Sequence, residues 1–167
     1  MSIKKAMNNN TAIKSLDIHG MTFFKIENVD QMPPFFMSIV SPGNHWLFIA
    51  SNGGISAGRK DAENALFPYY TVDKITESSE ETGSKTIVKV FKDKVATWEP
   101  FSVRNAGSFR CTNNLYKSVY GNAVIFEEIN HDLDLCFRYR WSSSAEFGFV
   151  KTSTIENLAE QLKNNFL

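Results

Sequence analysis

Few stretches of this chain combine residue types and spacing that could do chemistry. The segment Gly53-Gly54-Ile55-Ser56-Ala57-Gly58-Arg59-Lys60 has the glycine density of a phosphate-cradling loop. However, Arg59 stands where that motif needs lysine, and Lys60 where it needs serine or threonine, so a nucleotide site is rejected there. The glycines are read instead as permitting positive φ or close backbone approach at a strand bend. The bend leads into a polar loop carrying Arg59, Lys60, Asp61 and Asn64, with the adjacent rings Tyr69 and Tyr70 behind it. Donors, acceptors and rings beside a glycine-permitted bend suit contact with a sugar or with another domain. These six residues form the candidate carbohydrate-binding or docking site, although a solvated loop is the plainer reading of any one of them.

Carboxylates are the next candidates. Glu127-Glu128 are adjacent and Asp132 and Asp134 are two apart, but glycosidase chemistry needs two carboxyls roughly 5–10 Å apart in space, a tertiary quantity. His131-Asp132 after Ile129-Asn130 matches turn chemistry. His19, His45 and His131 lack metal-ligand spacing, and no Ser/His/Asp arrangement or nucleophile elbow is legible. No catalytic residue, metal or cofactor is therefore expected. Trp46, Tyr69, Tyr70, Trp98 and Trp141 offer faces on which sugar rings stack, though aromatics in β-sandwiches belong more often to the core. Strand alternation sends Tyr69 and Tyr70 to opposite faces, so at most one is expected fully inward.

The elements that must position these groups read as strands. Short apolar runs at 35–40 and 45–50 flank Ser41-Pro42-Gly43-Asn44, a hairpin signature. Further runs lie at 66–72, 86–91, 95–103, 116–120, 123–129, 135–141 and 147–152, punctuated by Gly, Asn, Asp and Ser. Leu133, Leu135, Phe137, Tyr139 and Trp141 alternate with Asp134, Arg138 and Arg140, as in a half-buried antiparallel strand. The expected fold is all-β, an antiparallel two-sheet β-sandwich with Phe48, Leu135, Phe137, Tyr139 and Trp141 in its core. A parallel α/β fold is disfavoured because crossover helices are missing. Ile155, Leu158, Ala159, Leu162 and Phe166 fall at helical spacing behind Ser153-Thr154-Ile155-Glu156, which predicts a short C-terminal amphipathic helix opened by a capping box. The resulting organisation is a leader or arm over 1–19, a sandwich over 20–154 and a helix over 155–167.

Composition bounds the rest. Among 167 residues, 43% are hydrophobic and 14 are Phe, enough for a substantial core. Eighteen basic residues balance 18 acidic ones, which argues against nucleic acid as a partner. No apolar run approaches the ~20 residues of a membrane helix. The N-terminal segment has lysines but no apolar signal region, so a cytoplasmic location is expected. Cys111 and Cys136 carry no motif spacing and are read as reduced, packed thiols.

Three blocks of sequence carry a family resemblance. They are Pro33-Pro34-Phe35-Phe36-Met37-Ser38-Ile39-Val40, the run from Phe48 through Ser51-Asn52-Gly53-Gly54 to Asp61, and Asn64-Ala65-Leu66-Phe67-Pro68-Tyr69-Tyr70. Together they resemble the opening β-sandwich (supersandwich) of cellobiose-phosphorylase-like carbohydrate phosphorylases and glycoside hydrolases. Trp98-Glu99-Pro100 and Phe109-Arg110-Cys111 are similar to that family's later landmarks, in the same order. Thr112-Asn113-Asn114 departs from the basic, His- and Gly-containing stretch often found there. The likeness spans roughly 20 to 155 and implies a non-catalytic N-terminal domain docking on an (α/α)6 catalytic barrel, or pairing in a homodimer, and lending loop residues to a sugar site. An independent carbohydrate-binding module and an interaction sandwich unrelated to sugar are the two other expectations.

Overall fold

The computed structural model describes residues 13–67, 72–91 and 94–159. Strands β1 (Ile13–Ile18) and β2 (Met21–Ile26) form a hairpin around His19-Gly20. After them come β3 (Phe36–Ile39), β4 (His45–Ala50), β5 (Ile55–Arg59) and β6 (Ala65–Phe67), which pair in chain order as a four-stranded sheet. Helix α1 (Val72–Glu77) precedes the hairpin β7 (Val88–Phe91) and β8 (Val95–Trp98). The long strands β9 (Cys111–Ser118), β10 (Ala123–Asn130), β11 (Leu135–Ser144) and β12 (Gly148–Asn157) then join the first hairpin. Their six-stranded sheet has the order β1-β2-β9-β10-β11-β12, and every strand pairing among the described residues is antiparallel.

One apolar cluster draws on all three sheets. Leu47, Ile49, Ile55 and Ala57 enter it from the four-stranded sheet, Leu115, Val124, Phe126, Phe137 and Tyr139 from the six-stranded sheet, and Trp98 from the small hairpin. The alternation read in β11 is observed: Phe137 and Tyr139 are buried, Leu135 and Trp141 pack partly buried against the same cluster, and Arg138 and Arg140 lie on the other face. Each large side chain fully buried here is worth about 1.5–3 kcal/mol of apolar transfer.

Two expectations change. Phe48 is not part of this core. Strand β4 turns His45, Leu47 and Ile49 inward, so Phe48 shares the outer face with Trp46, and its ring packs 5.5 Å from Trp46 and 5.4 Å from Phe36. An apolar run gives no phase of its own, and a one-residue choice of phase moves every side chain to the other face. At the C-terminus, Ser153-Thr154-Ile155-Glu156 is strand rather than a capping box. Ile155 opposes Phe137 and Glu156 opposes Cys136 in the ladder with β11. A ten-residue partner strand, met by the strand-favouring run Thr152 to Ile155, outweighs the local helical spacing. Among the described residues of the predicted helix, only Leu158 and Ala159 are helical, and 160–167 lie outside the described residues. At the N-terminus, Ile13–Ile18 of the leader form β1, in register with β2.

The β4–β5 turn is fastened from outside by the segment after it. A Cβ on Gly54 would stand 1.9 Å from the carbonyl oxygen of Ile75, so only glycine lets α1 lie against this turn. Asn52 Nδ2 donates to the Thr76 carbonyl at 2.6 Å, and Ile55 N donates to Thr82 Oγ1 at 3.0 Å. The turn is thereby fixed where it joins the ends of β8 and β9 in lining a cleft.

Candidate functional site

Three connections and two strands close around a cleft of about 380 Å³. Ser51 and Asn52 come from the β4–β5 turn, Met32 and Pro34 from the turn before β3, Trp98 and Glu99 from the end of β8, Phe101 to Phe109 from the loop beyond it, and Cys111 and Asn113 from the start of β9. This volume falls in the range of small-molecule sites. Its apolar wall includes the partly buried rings of Phe101 and Phe109, with Trp98 and Phe126 buried behind them.

At its base is Glu128, placed there by the alternation of β10, which turns Phe126 and Glu128 to the same face. Although only 5% exposed, the carboxylate is fully engaged: Oε1 accepts from Trp98 Nε1 and Oε2 from the Phe101 amide, both at 2.7 Å. Phe101 has φ 62°, left-handed backbone that a non-glycine residue adopts at a cost of order 1–3 kcal/mol. The charged acceptor on its amide offsets that cost. Cys111 lies on the rim, beside Glu128. Burial first, and then the Glu128 charge, push its thiol up to about 12, so it stays protonated and is a poor nucleophile.

Two polar atoms on this wall have nothing to bond. Asn113 Oδ1 and Ser102 Oγ are both inaccessible to solvent and without a hydrogen-bond partner. Asp30, Glu99 and Glu128 are the charged residues of the lining, and no lysine or arginine joins them among the described residues. Glu99 is already occupied by Arg104 at 3.5 Å and by Asn105 Nδ2 at 3.2 Å. The unmet demand is thus for donors to neutral oxygen acceptors, beside the rings of Phe101 and Phe109, whose faces disfavour anions.

Glu127, one residue earlier, faces away. Its Oε1 accepts from Asn114 Nδ2 and the Tyr116 hydroxyl, both at 2.8 Å, and its Oε2 pairs with Arg138, whose Nη1 reaches Glu156 at 2.6 Å. The sheet separates Glu127 from Glu128, so the adjacent carboxylates do not form the pair a glycosidase needs. Asp132 accepts from both the amide and Nε of Arg110 at 2.7 Å, tying the β10–β11 turn to the start of β9.

The residues singled out in the 59–64 loop lie at the opposite end of β5 from the cleft, about 13 Å along the strand at ~3.3 Å per residue. Arg59, Lys60, Asp61 and Asn64 are exposed. Asp61 Oδ1 caps the short 3-10 turn Ala62–Asn64, accepting from Asn64 N at 3.2 Å and Asn64 Nδ2 at 2.7 Å. Lys60 has φ 61° and donates its amide to Asn44 O. Tyr69 and Tyr70 lie outside the described residues. Asp61 and Asn64 therefore bond each other, while Arg59 and Lys60 project from the far end of the strand.

Sequence reasoning missed Glu128, Ser102 and Asn113 as a group, because the residues that meet in the cleft are scattered from the turn before β3 to the middle of β10. One signal was present. Ser51-Asn52, Trp98-Glu99 and Phe109-x-Cys111, which belong to the blocks that carry the family resemblance, line this one cleft, whereas the block 64–70 does not. No family model and no curated protein matches the chain.

Proposed function

We propose that this chain is a sugar-binding β-sandwich whose cleft takes a neutral carbohydrate, one or two rings in size, without turning it over. In this reading the six-stranded and four-stranded sheets are the two layers. The observation that carries it is the wall of the cleft: the partly buried rings of Phe101 and Phe109 with the partnerless acceptor Asn113 Oδ1 and the hydroxyl of Ser102 beside them. Sugars present apolar C–H faces to rings and hydroxyl donors to such acceptors. Acidic lining disfavours an anion, and a cation gains little from Glu128 and Glu99, whose oxygens already hold donors. Convergence of several of the resemblance landmarks on the same cleft supports the finer reading. In it, the chain is the non-catalytic N-terminal-type domain of a phosphorylase or hydrolase and docks on an (α/α)6 barrel.

Titration of the protein with cellobiose and glucose, monitored by amide shifts, tests this. Saturable shifts are expected around Trp98, Ser102 and Asn113. Asn113→Ala should weaken them about fivefold, the worth of one hydrogen bond of ~1 kcal/mol, and no product should form with or without phosphate. Shifts confined to the 59–64 loop, or no saturable response, would overturn the assignment of the cleft. Turnover abolished by a substitution in this chain would overturn the non-catalytic reading.

A further inference from the structure

Beside the cleft, sharing Asn52 and Phe101 with it, is a second cavity of about 40 Å³ whose electrostatics are reversed. Lys85 and Lys151 line it, together with Ser79, Thr82 and Ser84. Lys151 comes from β12 and sits with Nζ 4.4 Å from the centre of the Tyr139 ring, donating to Ser84 O at 3.2 Å and Ser84 Oγ at 2.5 Å. Lys85 Nζ donates to Ser79 O at 2.8 Å and lies 3.4 Å from Glu80, a carboxylate it shares with Arg104. Glu80 is shared by Lys85 and Arg104, Arg104 also reaches Glu99, and Lys151 has no carboxylate partner among the described residues; each of the two ammonium groups has a third donor to place. Tyr139 supplies the independent observation. It is only 8% exposed, its hydroxyl lies against Gly53 on the cavity wall, and that hydroxyl has no hydrogen-bond partner among the described residues. With no protein partner, this hydroxyl is open to donate to a ligand oxygen, a hydrogen bond worth about 1 kcal/mol.

The geometry points to a small-oxyanion site, in which Lys151, Lys85 and the Tyr139 hydroxyl converge on one phosphate-type group. Space for a few ordered waters is also space for one such head group. Lysine side chains supply the charge and the hydroxyls of Tyr139 and its serine and threonine neighbours supply direction. The state without an anion leaves the two ammoniums in mutual repulsion. Burial first, and then Lys85, lower the Lys151 pKa below its ordinary value. Either free inorganic phosphate or the phosphoryl group of a sugar phosphate lying in the adjoining cleft presents the required chemistry. The site does not depend on the sugar reading, since its residues are its own apart from the two shared with the cleft.

The test is calorimetry and amide-shift titration of the whole chain at constant ionic strength with inorganic phosphate, with glucose 1-phosphate, and with chloride as the control. Saturable phosphate binding is expected, with shifts at 82–86 and Lys151. Tyr139→Phe, which keeps the ring packed, should weaken it about fivefold for one lost hydrogen bond. Lys85→Met should weaken it about tenfold for one lost charge-assisted contact. Tighter binding of glucose 1-phosphate than of phosphate would identify the sugar-borne group as the source, and equal binding would identify the free ion. Lack of saturable binding by either, or phosphate affinity unchanged in both folded variants, would overturn the site. Phosphate binding without any response to neutral sugars would leave this site standing and remove the reading of the larger cleft.

Discussion

Glu127 and Glu128 are chemically identical neighbours on β10, both almost wholly buried at 2% and 5% exposure, yet they do opposite things. Glu127 faces outward into a closed set of partners, Asn114, Tyr116 and Arg138, and Arg138 is held in turn by Glu156. Burial alone would raise its carboxyl, but the hydrogen bonds from Asn114, Tyr116 and Arg138, with the guanidinium charge, outweigh it and hold the group below its ordinary value. Glu128 faces inward and meets only neutral N–H donors, from Trp98 and Phe101, while partnerless polar atoms remain around it. A carboxylate enclosed by complementary charge fixes a sheet. One held by neutral donors on an incompletely satisfied wall shapes a cleft.

The sharpest way to break this contrast is to remove Glu127. Glu127→Ala strands the buried Asn114 and Tyr116 donors, at about 1–3 kcal/mol each, and deprives the partly exposed Arg138 of one of its two carboxylates. Urea unfolding should show that loss, and a change below ~1 kcal/mol would mean the network is decorative. The same group sets a pH dependence. Its folded pKa is depressed below the ordinary 4.5, so its contribution is present in full above that value and is lost as pH falls through the folded pKa. Glu127→Gln should flatten that acid limb of the stability curve.

Glu128→Gln should cost less, about 2 kcal/mol, because the side chain keeps one good acceptor and loses two charge-assisted bonds. Its new amide must point at either Trp98 Nε1 or the Phe101 amide, donor against donor. The Phe101 backbone, held at φ 62°, and the Trp98 fluorescence are the reporters closest to the change. Unaltered stability and Trp98 emission would show that Glu128 does not organise the cleft.

How far this contrast is legible in the sequence varies with the length scale of its cause. The β11 alternation and the turn at Asn130, whose Oδ1 caps the amides of Asp132 and Leu133, are local and can be read directly. Phe48 and Ile155 depart from expectation because an apolar run gives no phase and a helical spacing does not reveal the strand that will pair with it. For the carboxylates, adjacency in a strand already implies opposite faces. Which face is the cleft depends on contacts such as Trp98 to Glu128, thirty residues apart. The loop at 59–64 stands out by composition, but its distance from the cleft follows from the length of β5, and Asp61 and Asn64 satisfy each other.

The two cysteines carry the comparison to its smallest expected effect on stability. Cys136 lies on the outer face with Glu127, buried, and its thiol is pushed up to about 12 mainly by burial. Cys111 lies at the cleft with Glu128 and reaches the same value, but it is exposed, and the Glu128 charge stands second among the causes. Replacing Cys111 with serine should therefore change stability by less than ~1 kcal/mol, as for other exposed positions. Its alkylation is more informative. With the thiol near 12, iodoacetamide at pH 8 should react on the order of 100-fold more slowly than with an ordinary cysteine, after allowing for the greater nucleophilicity of the more basic thiolate. In Glu128→Gln the negative charge beside Cys111 is gone, so that site should accelerate, whereas Cys136 should react only as the protein unfolds. Equal rates at Cys111 in both proteins would mean that burial alone suppresses the thiol and that the charge of Glu128 is not felt at the rim of the cleft.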